Sequence, residues 1–441
     1  MPRCQERFPF FETNRTHTRT MIKPIIPWQL RVPTFNLSSA ILLFCVCFPA
    51  LGWLFLFFIW VPLLFFLASN YLLASKPNLL HGLPPKPNKA VSNLLKTPQP
   101  QLISHRSGSA DYPENTIYAA KKCINNSAKT NRPPFLHVDV HLTADNTIVC
   151  FHDSEPFERN LLKLTGIDSS ISSIDLNQIP PFLSFLPKNP LCHFGHVDTS
   201  NLPPEGRRMC TFDQFCTVTA NVPLVVELWE ESDEFVLQVY NSLCCHRRNN
   251  ITIWGNRFNS VIQSSCKNVD PEMPVMSSAN QWLMIYASYY CGILPFLPLN
   301  HINMFNAVLI NSDHWSKLFS GPCIRGMSEI NAGRFKAVLF YLFELLNFFL
   351  FAPKLFRHLK ARGIPVVGLC LNDRTEWILA SSESGFSAVC TDYPNKFDKH
   401  TKTTGEMFVG SGSESGSESG SESEIGSESV LSPTNLFRQR L

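Results

Sequence analysis

"FLHVDVHLTADNTIVCFHD", residues 135–153, reads as two short strands joined by a turn. Leu136, Val138, Val140 and Leu142 alternate with His137, Asp139 and His141. Successive side chains of a strand point to opposite faces, so the three polar groups share one face. "TADNT" supplies the turn, and Ile148–Phe151 form a second strand that ends in His152 and Asp153. So dense a set of histidines and aspartates asks for a chemical reason.

Outward from this hairpin the pattern repeats. Strand-like apolar runs lie at "VPLVVEL" (222–228), "NITIW" (250–254), "AVLIN" (307–311), "IPVVGLCLN" (364–372) and "FSAVCTDYP" (386–394). Helix-like segments such as "LFRHLKARG" separate several of them. Strands alternating with helices predict an α/β fold with a parallel sheet covered by helices. Residues 101–399 suit a (β/α)8 TIM-type barrel, for which about 250 residues is typical.

The flanks differ in character. Residues 1–36 are polar and basic, with no short apolar region of a cleavable signal, and are expected to be disordered. Residues 37–74 carry no charge. About 20 apolar residues span a bilayer, so this run predicts one transmembrane span, or two short ones broken at Pro49 and Gly52. Basic residues on its two sides nearly balance and leave its orientation open. Residues 75–100 read as a linker. Two further apolar runs, 282–299 and 335–356, can cross a membrane, lie in its interface or pack as barrel helices. From 400 to 441 a Gly-Ser-Glu repeat has almost nothing to bury and reads as a disordered tail. The net charge of +3 gives no footing for nucleic acid. The 15 cysteines follow no metal-binding spacing and read as reduced, buried apolar residues of a cytosol-facing protein.

Polar clusters fall at the predicted C-terminal ends of strands, where barrels keep their chemistry. They are His105, Arg106, Glu114 and Asn115 in "LISHRSGSADYPENT"; His137, Asp139 and His141; His152 with Asp153; Glu227 and Trp229 in "VVELWEE"; and Asp392 in "TDYP". Taken singly, each has a structural reading. His141 can be a hydrogen-bonding partner, Asp153 a cap, Trp229 packing, Glu230 and Glu231 solvated charges, and "PENT" a helix start. Together they form a kit. Two histidines can serve as general acid and base. Asp139 and Glu227 can hold a hard divalent cation. Arg106 can grip a phosphate with its planar fork. That combination suits phosphodiester hydrolysis. A zinc hydrolase built on His137, Asp139 and His141 is a further reading.

The ordered runs "HRSG", "PENT", "HVD", "HD", "ELW" and "TDYP" resemble the motifs of the glycerophosphodiester phosphodiesterase family over about residues 101–397. "TIWGN", "GILPFLP" and "LKARGIPV" are similar to its small membrane-anchored lysophospholipase D branch. The resemblance implies a metal-dependent hydrolase of glycerophosphodiesters or lysophospholipids that works through attack by the neighbouring glycerol hydroxyl and a cyclic phosphate. It implies His105 and His152 as the acid/base pair, Arg106 as phosphate ligand with Glu114 supporting the pocket, and Asp139 and Glu227 as metal ligands. It further implies magnesium or calcium as the cofactor and an intracellular membrane, such as the endoplasmic reticulum, as the location. The chain departs from the family pattern at four positions. His137 stands where the family has its first metal carboxylate, and an imidazole favours manganese, zinc or iron. Trp229 stands in place of a lysine, Ser107 of a glycine and Leu369 of a tryptophan. These changes leave open an inactive barrel that binds lipid at a membrane.

Overall fold

The computed structural model describes residues 37–82, 86–97, 99–130, 132–152, 160–187, 196–310, 329–382 and 384–400. The basic N-terminus, Asp153 and residues 401–441 of the tail lie outside them. The chain forms two compact units, Met1–Leu63 and Leu64–Leu441.

The uncharged run is one helix, Leu37–Ala74, which continues through Pro49 and Pro62 without a hairpin. Trp53, Phe57, Phe58 and Trp60 are exposed on it. By length and composition Val46–Ala74 is able to cross a membrane, with a mean hydropathy of 2.4.

The larger unit contains ten described strands: β1 (Gln101–Ser104), β2 (Leu136–Leu142), β3 (Ile148–Cys150), β4 (Phe185–Pro187), β5 (His196–Asp198), β6 (Leu224–Leu228), β7 (Thr252–Gly255), β8 (Phe305–Val308), β9 (Val366–Leu369) and β10 (Ala388–Thr391). Seven of them run parallel in the order β7-β6-β2-β1-β10-β9-β8. The gap between β7 and β8 is closed by two residues. Val275 bridges Trp254 of β7, and Met276 bridges Met304 at the head of β8, both in the parallel sense. The sheet thus curls into a TIM-type barrel whose eighth stave is only this short. The opening hairpin forms as read, with β3 antiparallel to β2. β4 and β5 form a separate antiparallel pair.

Alternation along each stave sorts side chains between two cores. Leu136, Val138 and Val140 of β2 and Leu224, Val226 and Leu228 of β6 pack outward against helices. Leu102, Phe305, Val366 and Val389 do the same on the other side of the barrel. The intervening residues Ile103, Val225, Ile253, Val367 and Ala388 point inward and fill the barrel. Helix Lys89–Lys96 joins that inner core through Ala90, Val91 and Leu94. Part of the stretch read as a linker therefore plugs one end of the barrel, because its three apolar residues share one helical face.

The second apolar run forms helix Glu329–Leu350. Val338, Tyr341, Leu345, Phe348 and Phe349 are exposed on it, so most of it does not pack inward as a barrel helix. The first run divides differently. Helix Ala279–Tyr290 buries Ile285 and Tyr286 in the outer core, leaving Leu283 and Met284 exposed.

One buried cation holds the approach to β6. Arg248 is fully buried and donates to the carbonyls of Cys216, Thr219 (2.7 Å) and Val222, where the chain leaves helix Phe212–Val218 for the strand. Replacing it by Leu strands these acceptors, each costing about 1–3 kcal/mol when left unsatisfied. Arg248→Leu should lower stability by about 3 kcal/mol or more in urea unfolding; a loss under 0.5 kcal/mol would refute this role.

Candidate active site

The inward rows change character at one end of the barrel. Ile103, Val225 and Ala388 give way, farther along the same staves, to His105, Glu227 and Asp392. β2 and β6 are in register so that Asp139 lies beside Glu227. All four of these polar groups, with His137 and His152, are buried.

After β1 the chain turns sharply. Arg106 (φ 47°), Ser107 (φ 61°) and Gly108 (φ 89°) all adopt left-handed backbone. The turn directs His105 and Arg106 into the mouth. His105 Nδ1 lies 2.7 Å from Asp392 Oδ1, and Asn372 donates to Asp392 Oδ2 at 2.6 Å. Burial opposes protonation of His105, but Cys370 and Asp392 outweigh it and raise its pKa to about 10. Arg106 donates to Glu114 at 3.3 Å and to His152 Nε2 at 3.0 Å, and its Nε lies 3.6 Å from Asp139. An arginine can only donate, so Nε2 of His152 is the accepting, unprotonated nitrogen. The two histidines thus stand in opposite states, one holding a proton and one offering a lone pair.

Asp139 accepts from Trp229 Nε1 at 2.9 Å and from Asn115 Nδ2 at 3.1 Å. Burial favours its neutral form, yet His152, His137, Arg106 and His105 hold its carboxyl far below the usual range. Glu227 is gripped by Arg257, through Nε to Oε1 (2.9 Å) and Nη2 to Oε2 (2.8 Å), with the Arg257 backbone N–H also on Oε1 (3.3 Å). His137 Nε2 meets Oε2 at 3.2 Å. Because a carboxylate only accepts, Nε2 carries the proton, leaving Nδ1 to face the Arg106 N–H at 3.5 Å. Burial lowers the His137 pKa. Burial also works against the Glu227 charge, but Arg257 prevails and brings its pKa to about 2.

His137, Asp139 and Glu227 each bring one ligand atom, all within 4.8 Å of one another. An imidazole with two carboxylates fits a borderline divalent ion such as manganese or zinc. His141 is not part of this group. It pairs with Glu230 at 3.1 Å and stacks on Trp229, so the triad of His137, Asp139 and His141 is corrected to one that ends in Glu227.

Residues 105–298 match the family model described as "Glycerophosphoryl diester phosphodiesterase family". The chain carries a glycerophosphoryl diester phosphodiesterase domain. By class it is a phosphoric diester hydrolase. It is 28% identical to lysophospholipase D GDPD3 of Homo sapiens over 314 residues, 68% of this chain and 86% of that protein. It is 26% identical to lysophospholipase D GDPD1 of Homo sapiens, over 75% of this chain and 92% of that one. A solved glycerophosphodiester phosphodiesterase from Agrobacterium tumefaciens superposes with a TM-score of 0.42 at 13% identity, over 69% of this chain and 99% of that one.

Within this phosphodiesterase domain the structure brings His105, Arg106, Glu114, His137, Asp139, His152 and Glu227 to one mouth. Two further residues of the predicted polar clusters gain definite partners, and a third, Arg257, escaped the sequence reading. Asn115 was read as part of a helix start, but Thr116 is the cap of helix Ile117–Lys129 and Asn115 reaches Asp139. Trp229 serves Asp139 as a donor as well as packing edge-on to His152. Arg257, two residues past β7, had only its place after a predicted strand to mark it.

Ser107, at a position where the family resemblance leads one to expect glycine, sits in left-handed backbone with its hydroxyl buried and without a hydrogen-bond partner among the described residues. Left-handed backbone costs a residue other than glycine about 1–2 kcal/mol, and the stranded hydroxyl adds to it. Ser107→Gly should raise stability by about 1 kcal/mol after the entropy cost of glycine, read as an upward shift in thermal midpoint. A lower midpoint would show that the turn is not strained.

Proposed function

We propose that this protein hydrolyses glycerophosphodiesters or lysophospholipids at a membrane, in the manner of a lysophospholipase D and as part of lipid metabolism. The pairing of a protonated His105 with an unprotonated His152 across Arg106 carries the reading. The Arg106 fork receives the phosphodiester anion. His152 Nε2 takes the proton of the glycerol hydroxyl next to the phosphorus. A bond forms from that oxygen to phosphorus, the bond to the alcohol breaks, and His105 returns a proton to the departing oxygen. Water then opens the cyclic diester with the two roles exchanged. His137, Asp139 and Glu227 would hold a divalent cation, manganese or zinc by their donor types and magnesium or calcium by the family pattern. When bound, such an ion supplies charge that polarises the phosphoryl oxygen.

The apolar helix Leu37–Ala74 anchors the barrel, and the exposed face of Glu329–Leu350 lies in the lipid surface. An intracellular membrane such as the endoplasmic reticulum suits this arrangement and the cysteine usage.

Lysophosphatidylcholine and glycerophosphocholine, each with magnesium, calcium, manganese or zinc, test the reading by released choline. His105→Ala and His152→Ala should each lower turnover by about a hundredfold or more. Folded protein with no turnover under any condition would overturn it. The pH profile separates the roles. His105 must be protonated, so activity should fall as pH rises towards about 10. Asp392→Asn removes a carboxylate that holds that proton, so the alkaline fall should move to lower pH by about one unit or more. An unmoved alkaline limb would remove His105 as the acid.

A further inference from the structure

A carboxylate offers about four lone-pair positions, and every one on Glu227 is taken. Oε1 accepts the Arg257 side chain and backbone N–H, and Oε2 accepts Arg257 and faces His137 Nε2. His137, read as a ligand of the same ion, gives up its contact when metal binds, but Arg257 holds both oxygens, so a cation at Glu227 competes with the Arg257 side chain. Arg257 itself is nearly buried, with 13% of its side chain exposed, so once released it cannot simply turn out into water. It needs another anion in the same mouth.

The charge balance points to which anion. Among the described groups of the mouth, the guanidinium groups of Arg106 and Arg257 face the carboxylates Glu114, Asp139, Glu227 and Asp392. A phosphodiester arriving alone adds to an excess of negative charge. A divalent ion arriving alone sets Arg257 loose with no partner. Arriving together, a divalent cation offsets that excess and the singly charged phosphodiester gives Arg257 its new partner.

We propose that Arg257 is an exchangeable cation: it holds Glu227 while the site lacks metal, and transfers to the substrate phosphate when a divalent ion takes Glu227. Metal and phosphate then bind cooperatively through one side chain. The proposal rests on the reading of His137, Asp139 and Glu227 as metal ligands. Glu227 is in register with Gly255, and Arg257 follows Gly255 by two residues, which sets its side chain over Glu227 at the rim.

Titration calorimetry of the full chain in detergent, with manganese as the metal and inorganic phosphate as the anion, tests this without turnover. In the unaltered protein phosphate should tighten manganese binding. Arg257→Gln should bind manganese about tenfold more tightly without phosphate, and the tightening by phosphate should shrink at least threefold. Arg257→Lys keeps the charge but loses the fork, so its manganese affinity should fall between the two. Equal or weaker manganese binding by folded Arg257→Gln would overturn the exchange and leave the metal reading standing. Absence of manganese binding in all three proteins, with and without phosphate, would overturn the metal reading and the exchange with it.

Discussion

Buried charge must be paired, and this requirement governs the mouth of the barrel. An isolated ion taken out of water costs several kcal/mol even after relaxation, and losing one partner of a buried pair typically costs about 3–5 kcal/mol. Here Asp139, Glu227 and Asp392 are almost wholly withdrawn from solvent. Each is held by donors from different parts of the chain: Asn115 and Trp229 for Asp139, Arg257 for Glu227, Asn372 and His105 for Asp392. The pairing fixes the loops after β1, β6, β7, β9 and β10 relative to one another. The same contacts set the protonation of the two histidines, so structural and chemical demands fall on one set of bonds.

The scaffold beneath the mouth satisfies a simpler rule. Each stave shows apolar residues outward to the helices and apolar residues inward to the barrel core, until the last one or two positions. There the inward residue becomes polar because the core has ended. β2 and β8 change early, since His137 already points inward beside Val225 and Asn306 beside Val367. In β2 that early change made residues 135–142 conspicuous from the start.

Periodicity made most of the barrel legible. β2, β6, β7, β9 and β10 announce themselves as apolar runs, and polar groups at their ends mark the site. Other features left no such trace. The stave formed by Val275 and Met276 is two residues long, too short for any period to register. Helix Lys89–Lys96 lies in a Pro- and Lys-rich stretch, and its burying face consists of Ala90, Val91 and Leu94. Arg257 belongs to no local pattern, because its partner Glu227 is a neighbour only across the sheet. Asn115 looked like a cap because it adjoins one; the difference is a single left-handed turn (φ 56°) that swings its side chain towards Asp139.

The register of β6 and β7 has an evolutionary consequence. Glu227 of β6 pairs with Gly255 of β7, and Arg257, two residues further on, closes over it. Replacing either partner of so buried a pair leaves the other charge unpaired. The two positions can therefore change only together, although they lie 30 residues apart in sequence.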